Sequence, residues 1–161
     1  MALTRKKGPT AFALTRQKVP AVKRDPGFDP KSALRGAYVA QEATDGKPDV
    51  VVVATGSEVQ LAIGARERLE KNGKKVRVVS APCLEIFAQQ DDAYREAVLP
   101  RGVRKVSIEA GITTPWRRWI GEDGLALGID HFGASAPDKI LGQKFGFTVD
   151  SVTERIAAWL G

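Results

Sequence analysis

The sequence predicts an α/β fold: a three-layer α/β/α sandwich around a mixed sheet of about five strands, mostly parallel with one antiparallel. Three observations lead there. Residues 50–53 are four consecutive valines that run into Ala54-Thr55-Gly56-Ser57 and then a helical pattern, the mark of a central parallel strand buried on both faces. Strand and helix patterns then alternate to the end of the chain, as stacked βαβ units require. The strand pattern at residues 36–40 is joined to the valine run by a connection too short for a parallel crossover, so it is expected to pair antiparallel.

In chain order, residues 1–8 are polar and basic, and residues 10–15 read as a strand with no obvious partner. Residues 19–30 hold Pro20, Pro26, Gly27 and Pro30, which interrupt helix and sheet and mark an extended linker. Beyond the valine run, Ser57 and Gln60 have the spacing of a capping box, the hydroxyl capping the helix while Gln60 reaches back to the Ser57 N–H. Val59, Ala62, Ile63 and Leu69 share one helical face, and Asn72-Gly73 supplies the stop. Residues 75–80 are the next strand, reached by a crossover expected to be right-handed.

Residues 82–87 form a turn into a helix that begins near Asp91 or Asp92, turns Tyr94, Ala97 and Val98 inward and stops at Pro100-Arg101-Gly102. Residues 103–109 are a third parallel strand, Pro115 opens a short helix, and residues 125–129 offer the last strand. Residues 136–145 and 148–160 close the chain as helices, the second capped by Thr148 with Val149, Val152, Ile156 and Trp159 facing inward.

The totals bound the rest. A chain of 161 residues buries about 70% of its unfolded surface and needs no staples. Cys83 is the one cysteine, which excludes an internal disulfide and fits a reducing compartment. No apolar segment approaches the ~20 residues of a membrane span, so a cytoplasmic protein is the expectation. The net charge of +6 is uneven: residues 1–35 hold nine Lys/Arg and two acids, whereas the remainder is nearly neutral. The basicity belongs to an arm.

Thr55-Gly56-Ser57-Glu58 stands where a parallel strand meets a helix N-terminus, a place that can hold an anion, but it lacks the further glycines of a dinucleotide fingerprint, and Glu58 would repel phosphate. A plain helix start is the better reading. Gly121-Glu122-Asp123-Gly124 approaches a Gly-Asp-Gly metal motif without its later asparagine, since the single Asn72 lies upstream, and reads as a polar turn. His131 reads as a loop residue, Cys83 as a buried structural thiol, and Glu109, at a strand end, as either a site carboxylate or a pairing one. Trp116-Arg117-Arg118-Trp119 reads as an anchor at a domain or subunit contact. Arg16 directly follows the arm's apolar strand, where its fork of donors suits a phosphate dianion, but from the local pattern alone a generic basic linker is the better reading.

Ala13-Leu14-Thr15-Arg16-Gln17, Ala54-Thr55-Gly56-Ser57-Glu58-Val59, Val106-Ser107-Ile108-Glu109-Ala110 and the string from Gly128-Ile129-Asp130-His131 to Ala136-Pro137 occur in this order. Together they resemble the C-terminal part of transketolase over nearly the whole chain. The resemblance implies a transketolase C-terminal domain-like fold over residues 32–161, preceded by a basic arm, residues 1–31, that is a remnant of the end of the pyrimidine-binding domain plus linker. It implies a homodimeric transferase of the pentose phosphate pathway that moves a two-carbon ketol unit from a ketose phosphate to an aldose phosphate, using thiamine diphosphate and Mg2+ (or Ca2+).

The resemblance also implies that no catalytic, cofactor or metal residue lies on this chain, and that Arg16 matches the position that grips the substrate phosphate. The isolated chain is then expected to be catalytically silent, its partners being the remaining transketolase domains and a sugar phosphate, with no membrane and no nucleic acid. The arm is expected to be disordered or paired with a neighbouring molecule through its strand edge. The rival expectation is a free-standing interaction or regulatory module whose basic arm binds a polyanion. A third is an anion or nucleotide site at Gly56 to Glu58.

Overall fold

A computed structural model of the chain describes residues 6–161; residues 1–5 of the expected arm, Arg5 among them, lie outside the described residues. β2 (Val50–Ala54) takes the centre of the sheet because all five of its residues are shut off from water. Parallel β3 (Val76–Ser80) lies on one side of it and parallel β4 (Arg104–Ile108) on the other, with Val52 opposite both Val78 and Val106. β5 (Leu125–Leu127) extends the sheet parallel to β4, and β1 (Tyr38–Gln41) runs antiparallel along the far edge of β3, so the order is β1-β3-β2-β4-β5.

Alternate side chains of these strands feed two cores. On one face Val50, Val52, Val76, Val78, Val106 and Ile108 pack against α1 (Val59–Lys71) and α6 (Val149–Leu160). On the other, Val51, Val53 and Val79 lie under Phe87 of α2 (Leu84–Ala88), Val98 of α3 (Asp92–Val98), and Trp116 and Ile120 at the two ends of α4 (Arg117–Ile120). A fully buried valine contributes about 1.5–3 kcal/mol where a helix cap contributes about 1. Packing on both faces of β2 therefore outweighs the local signals at helix ends. Helices α1 and α6 approach closely at Gly64, where an added Cβ would lie 2.7 Å from Cγ2 of Val149. Asp91 and Thr148 cap α3 and α6, accepting from the backbone N–H of Tyr94 and Ser151.

Several expectations are corrected. Residues 10–15 form no strand: Phe12 and Leu14 are exposed and the segment is irregular, since no strand edge of this chain reaches it. The antiparallel strand pairs with β3 rather than with the central β2. Its eight-residue connection has only to cross two strand spacings, about 10 Å. The capping box does not form either. Residues 56–58 are a turn of 3-10 helix, and the Ser57 hydroxyl donates to the neighbouring Glu58 carboxylate at 2.6 Å. The turn expected before Asp91 contains the short helix α2.

The proline-bearing stretch before β1 is docked rather than loose. Gln41 Nε2 donates to the Lys23 carbonyl at 2.7 Å, Asp25 accepts the Glu42 N–H at 2.6 Å, and the Phe28 ring lies 5.2 Å from that of Tyr38. It covers β1, an edge that would otherwise offer unpaired backbone groups. A second polar tie holds the opposite side of β3. Arg77, 8% exposed, donates through Nε and Nη2 to both oxygens of Glu42 at 2.8 and 2.9 Å, and through Nη1 to the Ala97 carbonyl at the end of α3.

Replacing Arg77 with Met removes these donors and leaves the half-buried Glu42 carboxylate without its countercharge, with the Ala43 N–H as a remaining donor, so Arg77→Met should lower unfolding free energy by about 2–3 kcal/mol. Ser107 in β4 carries the contrary case, a buried hydroxyl with no hydrogen-bond partner among the described residues. Ser107→Ala should be neutral or stabilising by up to about 1 kcal/mol. Urea unfolding of both variants against the parent chain measures the two effects.

Candidate functional site

The chain reverses direction across the sheet between β2 and β4. α1 carries the chain from β2 to β3 on one side, and the connection after β3 returns to β4 on the other, so a crevice opens at the carboxyl ends of β2 and β4, the place where open α/β sheets bind ligands. A cleft of about 650 Å3 lies at this edge. Ser57 and Glu58 enter it from the turn after β2, Ala110 from the loop after β4 and Ile129 from the loop after β5. From the arm come Gln17 and Lys18.

Glu58 fills the position an anion would take. One carboxylate oxygen accepts the Ser57 hydroxyl at 2.6 Å and the other accepts the Ala110 N–H at 3.4 Å, so the side chain bridges the two diverging loops. A fixed negative charge beside the first turn of α1 complements the helix dipole and repels phosphate. The protein's own carboxylate therefore faces any anion entering the crevice, which speaks against the nucleotide reading of Gly56 to Glu58.

The loops on either side are tied together. Asp130 accepts both the N–H and the hydroxyl of Thr113 at 2.8 Å, and the Ile129 N–H donates to the Gly111 carbonyl at 2.7 Å. The backbones come so close that a Cβ at Gly128 would lie 2.6 Å from that carbonyl. The two bonds from Thr113, backbone first, hold the Asp130 carboxyl below its ordinary value.

The residues singled out from the sequence separate here. Arg16 lies exposed at a bend of the arm, directly before the two residues that line the cleft, with Thr15 hydrogen-bonded to Gln17 across it. Glu109 accepts the Trp116 indole N–H at 2.6 Å and so serves as a pairing carboxylate. The expectation that residues 116–119 anchor a domain or subunit contact is corrected for Trp116, which is 2% exposed inside the core; Trp119 is half-buried on Phe87 at 5.0 Å, and Arg117 and Arg118 are exposed. Cys83 is half-buried rather than buried, its thiol 3.5 Å from Glu85. His131 is an exposed loop residue, its ring 5.2 Å from that of Phe145. Arg24 and Arg35, among the basic residues of the first 35, are spent on the body. Arg24 stacks over Phe28 and donates to the Tyr38 hydroxyl, and Arg35 pairs with Asp91 over the Tyr94 ring.

Comparison with known proteins gives this geometry its family. The sequence model of the transketolase-like TK C-terminal domain matches residues 36–148. The chain belongs to the transketolase C-terminal domain family. It is 48% identical over 157 residues to the transketolase of Aquifex aeolicus, covering 97% of this chain and 23% of that one, and 49% identical over 148 residues to transketolase 7 of Craterostigma plantagineum, covering 89% and 21%. Among solved structures it superposes on transketolase from Leishmania mexicana with a TM-score of 0.75 at 40% identity, covering 84% of this chain and 19% of that one. On a transketolase from Pichia stipitis the TM-score is 0.79 at 35% identity, covering 90% and 20%. The chain thus spans about a fifth of the length of the transketolases it matches.

The donor set of this transketolase C-terminal domain does not fit a metal with a diphosphate. In the Gly121–Gly124 turn, Arg117 Nη1 donates to the carbonyls of Glu122 and Gly124 at 3.0 Å, placing a cation where a metal would need oxygens. Among the described residues no three His, Cys, Asp or Glu side chains gather in a metal-binding group. Nor is any helix there long and apolar enough to cross a membrane.

Because Glu58 occupies the crevice, thermal melts with and without ~20 mM phosphate should coincide, whereas a millimolar site would add between about 1 and 2 kcal/mol by mass action. The Asp130 tie makes a separate prediction. Its folded-state pKa is depressed, so its stabilising contribution is present above the ordinary value of 3.8 and is lost as pH falls through the lower folded value. An NMR titration should show Asp130 and the Thr113 amide moving together with a midpoint below 3.8.

Proposed function

We propose that this chain is the C-terminal part of a transketolase that transfers a two-carbon ketol unit from a ketose phosphate to an aldose phosphate, and that its role there is structural support together with one substrate contact, from Arg16. The observation that carries this reading is that arm and body match together: the Aquifex aeolicus relative aligns over 97% of the chain, the Arg16 segment included. The complete enzyme would draw its electron sink from thiamine diphosphate held with Mg2+ or Ca2+ by other domains, in a homodimer.

What this chain's own residues contribute is position. The docking of Lys23, Asp25 and Phe28 at β1 fixes how the arm leaves the body, and Gln17 and Lys18 line the cleft upstream of it. Arg16 lies exposed at the bend before them. A planar fork of donors matches a phosphate bidentately, so Arg16 would orient the phosphorylated end of the sugar while the reacting carbonyl lies elsewhere. Residues 1–31 serve as a connection to the pyrimidine-binding domain, and residues 32–161 as the C-terminal domain.

Two measurements test this. The purified 161-residue chain with thiamine diphosphate and magnesium should show no ketol transfer. A chimera of the Aquifex aeolicus transketolase, with its matching C-terminal segment replaced by this chain, should be active. In that chimera Arg16→Ala should raise KM for a ketose phosphate by about 10- to 100-fold, the weight of one or two charge-assisted hydrogen bonds, and leave an unphosphorylated ketose unaffected. Equal effects on both donors would refute the phosphate contact.

A further inference from the structure

Phe132 is 100% exposed, on a loop built with care. Asp130 pins that loop to Thr113, the His131 Nδ1 lies 2.8 Å from the Phe132 carbonyl, and the His131 ring rests on Phe145. An aromatic ring held out on a fixed support gives this domain's fold nothing and is the form an interface anchor takes. Two further apolar side chains come to the same edge: Ile112 from the loop after β4, 60% exposed, and Ile140 from the first turn of α5 (Asp138–Phe145), 54% exposed.

The geometry points to one occupant for this edge. Gly133 and Ala134, next to Phe132, line the same cleft as Gln17 and Lys18, so the arm reaches the body beside the exposed ring. Upstream of that point the arm carries Phe12 and Leu14, also exposed. The matched transketolases are four to five times longer than this chain, and its family is their C-terminal domain, so most of their length precedes the arm. We infer that Phe132, with Ile112 and Ile140, docks the preceding domain of the same transketolase, the one into which the arm leads. A short tether ending at the patch raises the effective concentration of that domain there, and a pinned loop loses little freedom on contact. The inference rests on the functional reading above, and goes beyond it by assigning the surface.

The test uses the full-length chimera and a readout independent of activity. Phe132→Ser should leave the thermal midpoint of the 161-residue chain unchanged, because the ring touches nothing in it. In the chimera the same change should speed trypsin cleavage at Lys18 and Lys23 roughly tenfold or more, the effect of losing a hot-spot anchor, while Lys71→Ser on α1, an exposed control, should not. Equal cleavage of Phe132→Ser and parent chimeras would overturn the assignment even if the chimera transfers ketol units. Faster cleavage in an inactive chimera would uphold the surface while the functional reading fell. If instead the 161-residue chain sediments as a dimer that Phe132→Ser dissociates, the occupant is a second copy and the inference is wrong.

Discussion

Two-sided burial of β2 is the constraint on which the other features rest. With no face of that strand available to water, its neighbours must both be strands and both faces must carry helices. Once β3 and β4 flank β2 in parallel, the chain has to reverse direction across the sheet. The crevice at the carboxyl edge follows from that reversal rather than from any residue lining it. A fold of this kind makes a ligand-sized opening as a by-product of its topology, and the side chains placed there decide whether it is used.

Here they decide against an anion. The choice of Glu58 directly after Gly56 and Ser57 turns the opening into a tie between two loops, because a carboxylate with two donors is satisfied there and a phosphate would meet its charge. The same edge is tightened again by Asp130 and Thr113. Ties of this kind make the carboxyl edge stiff. Stiffness without a ligand suits a surface that presents groups to another body, as the outward Phe132 does.

The sheet was legible in the sequence because its signal is redundant. Four valines, a glycine turn and a helix period all agree at residues 50–69, and the later strands repeat the pattern. What the sequence did not disclose was pairing at a distance. The partner of β1 depends on which edge is free after β3 has inserted, and no local pattern records that. Ser57 and Gln60 have the right spacing for a capping box, yet the hydroxyl had a nearer carboxylate in Glu58. Trp116 looks like an interface residue by type, but it had a core position and a partner for its indole N–H in Glu109. At the site, Arg16 was visible as an arginine behind an apolar run. Glu58 was visible as a charge that repels phosphate, but its bridge to Ala110 and Phe132 as an outward anchor were not, since both depend on how loops after different strands meet.

The arm joins these observations. Phe12 and Leu14 find no strand edge among the described residues, yet the proline-bearing stretch that follows is fastened to the body, Lys23 and Asp25 at β1 and Phe28 on Tyr38. Fastening a linker costs chain entropy on the order of 1–2 kcal/mol per residue, and an exposed phenyl ring returns nothing to this domain. Both costs make physical sense if the fixed arm sets the distance and direction to a second body, and the ring supplies the contact once that body is in place. In the enzyme proposed above, Arg16, at the bend before these residues, would take its position from the arm's path, and so would its reach to a phosphate.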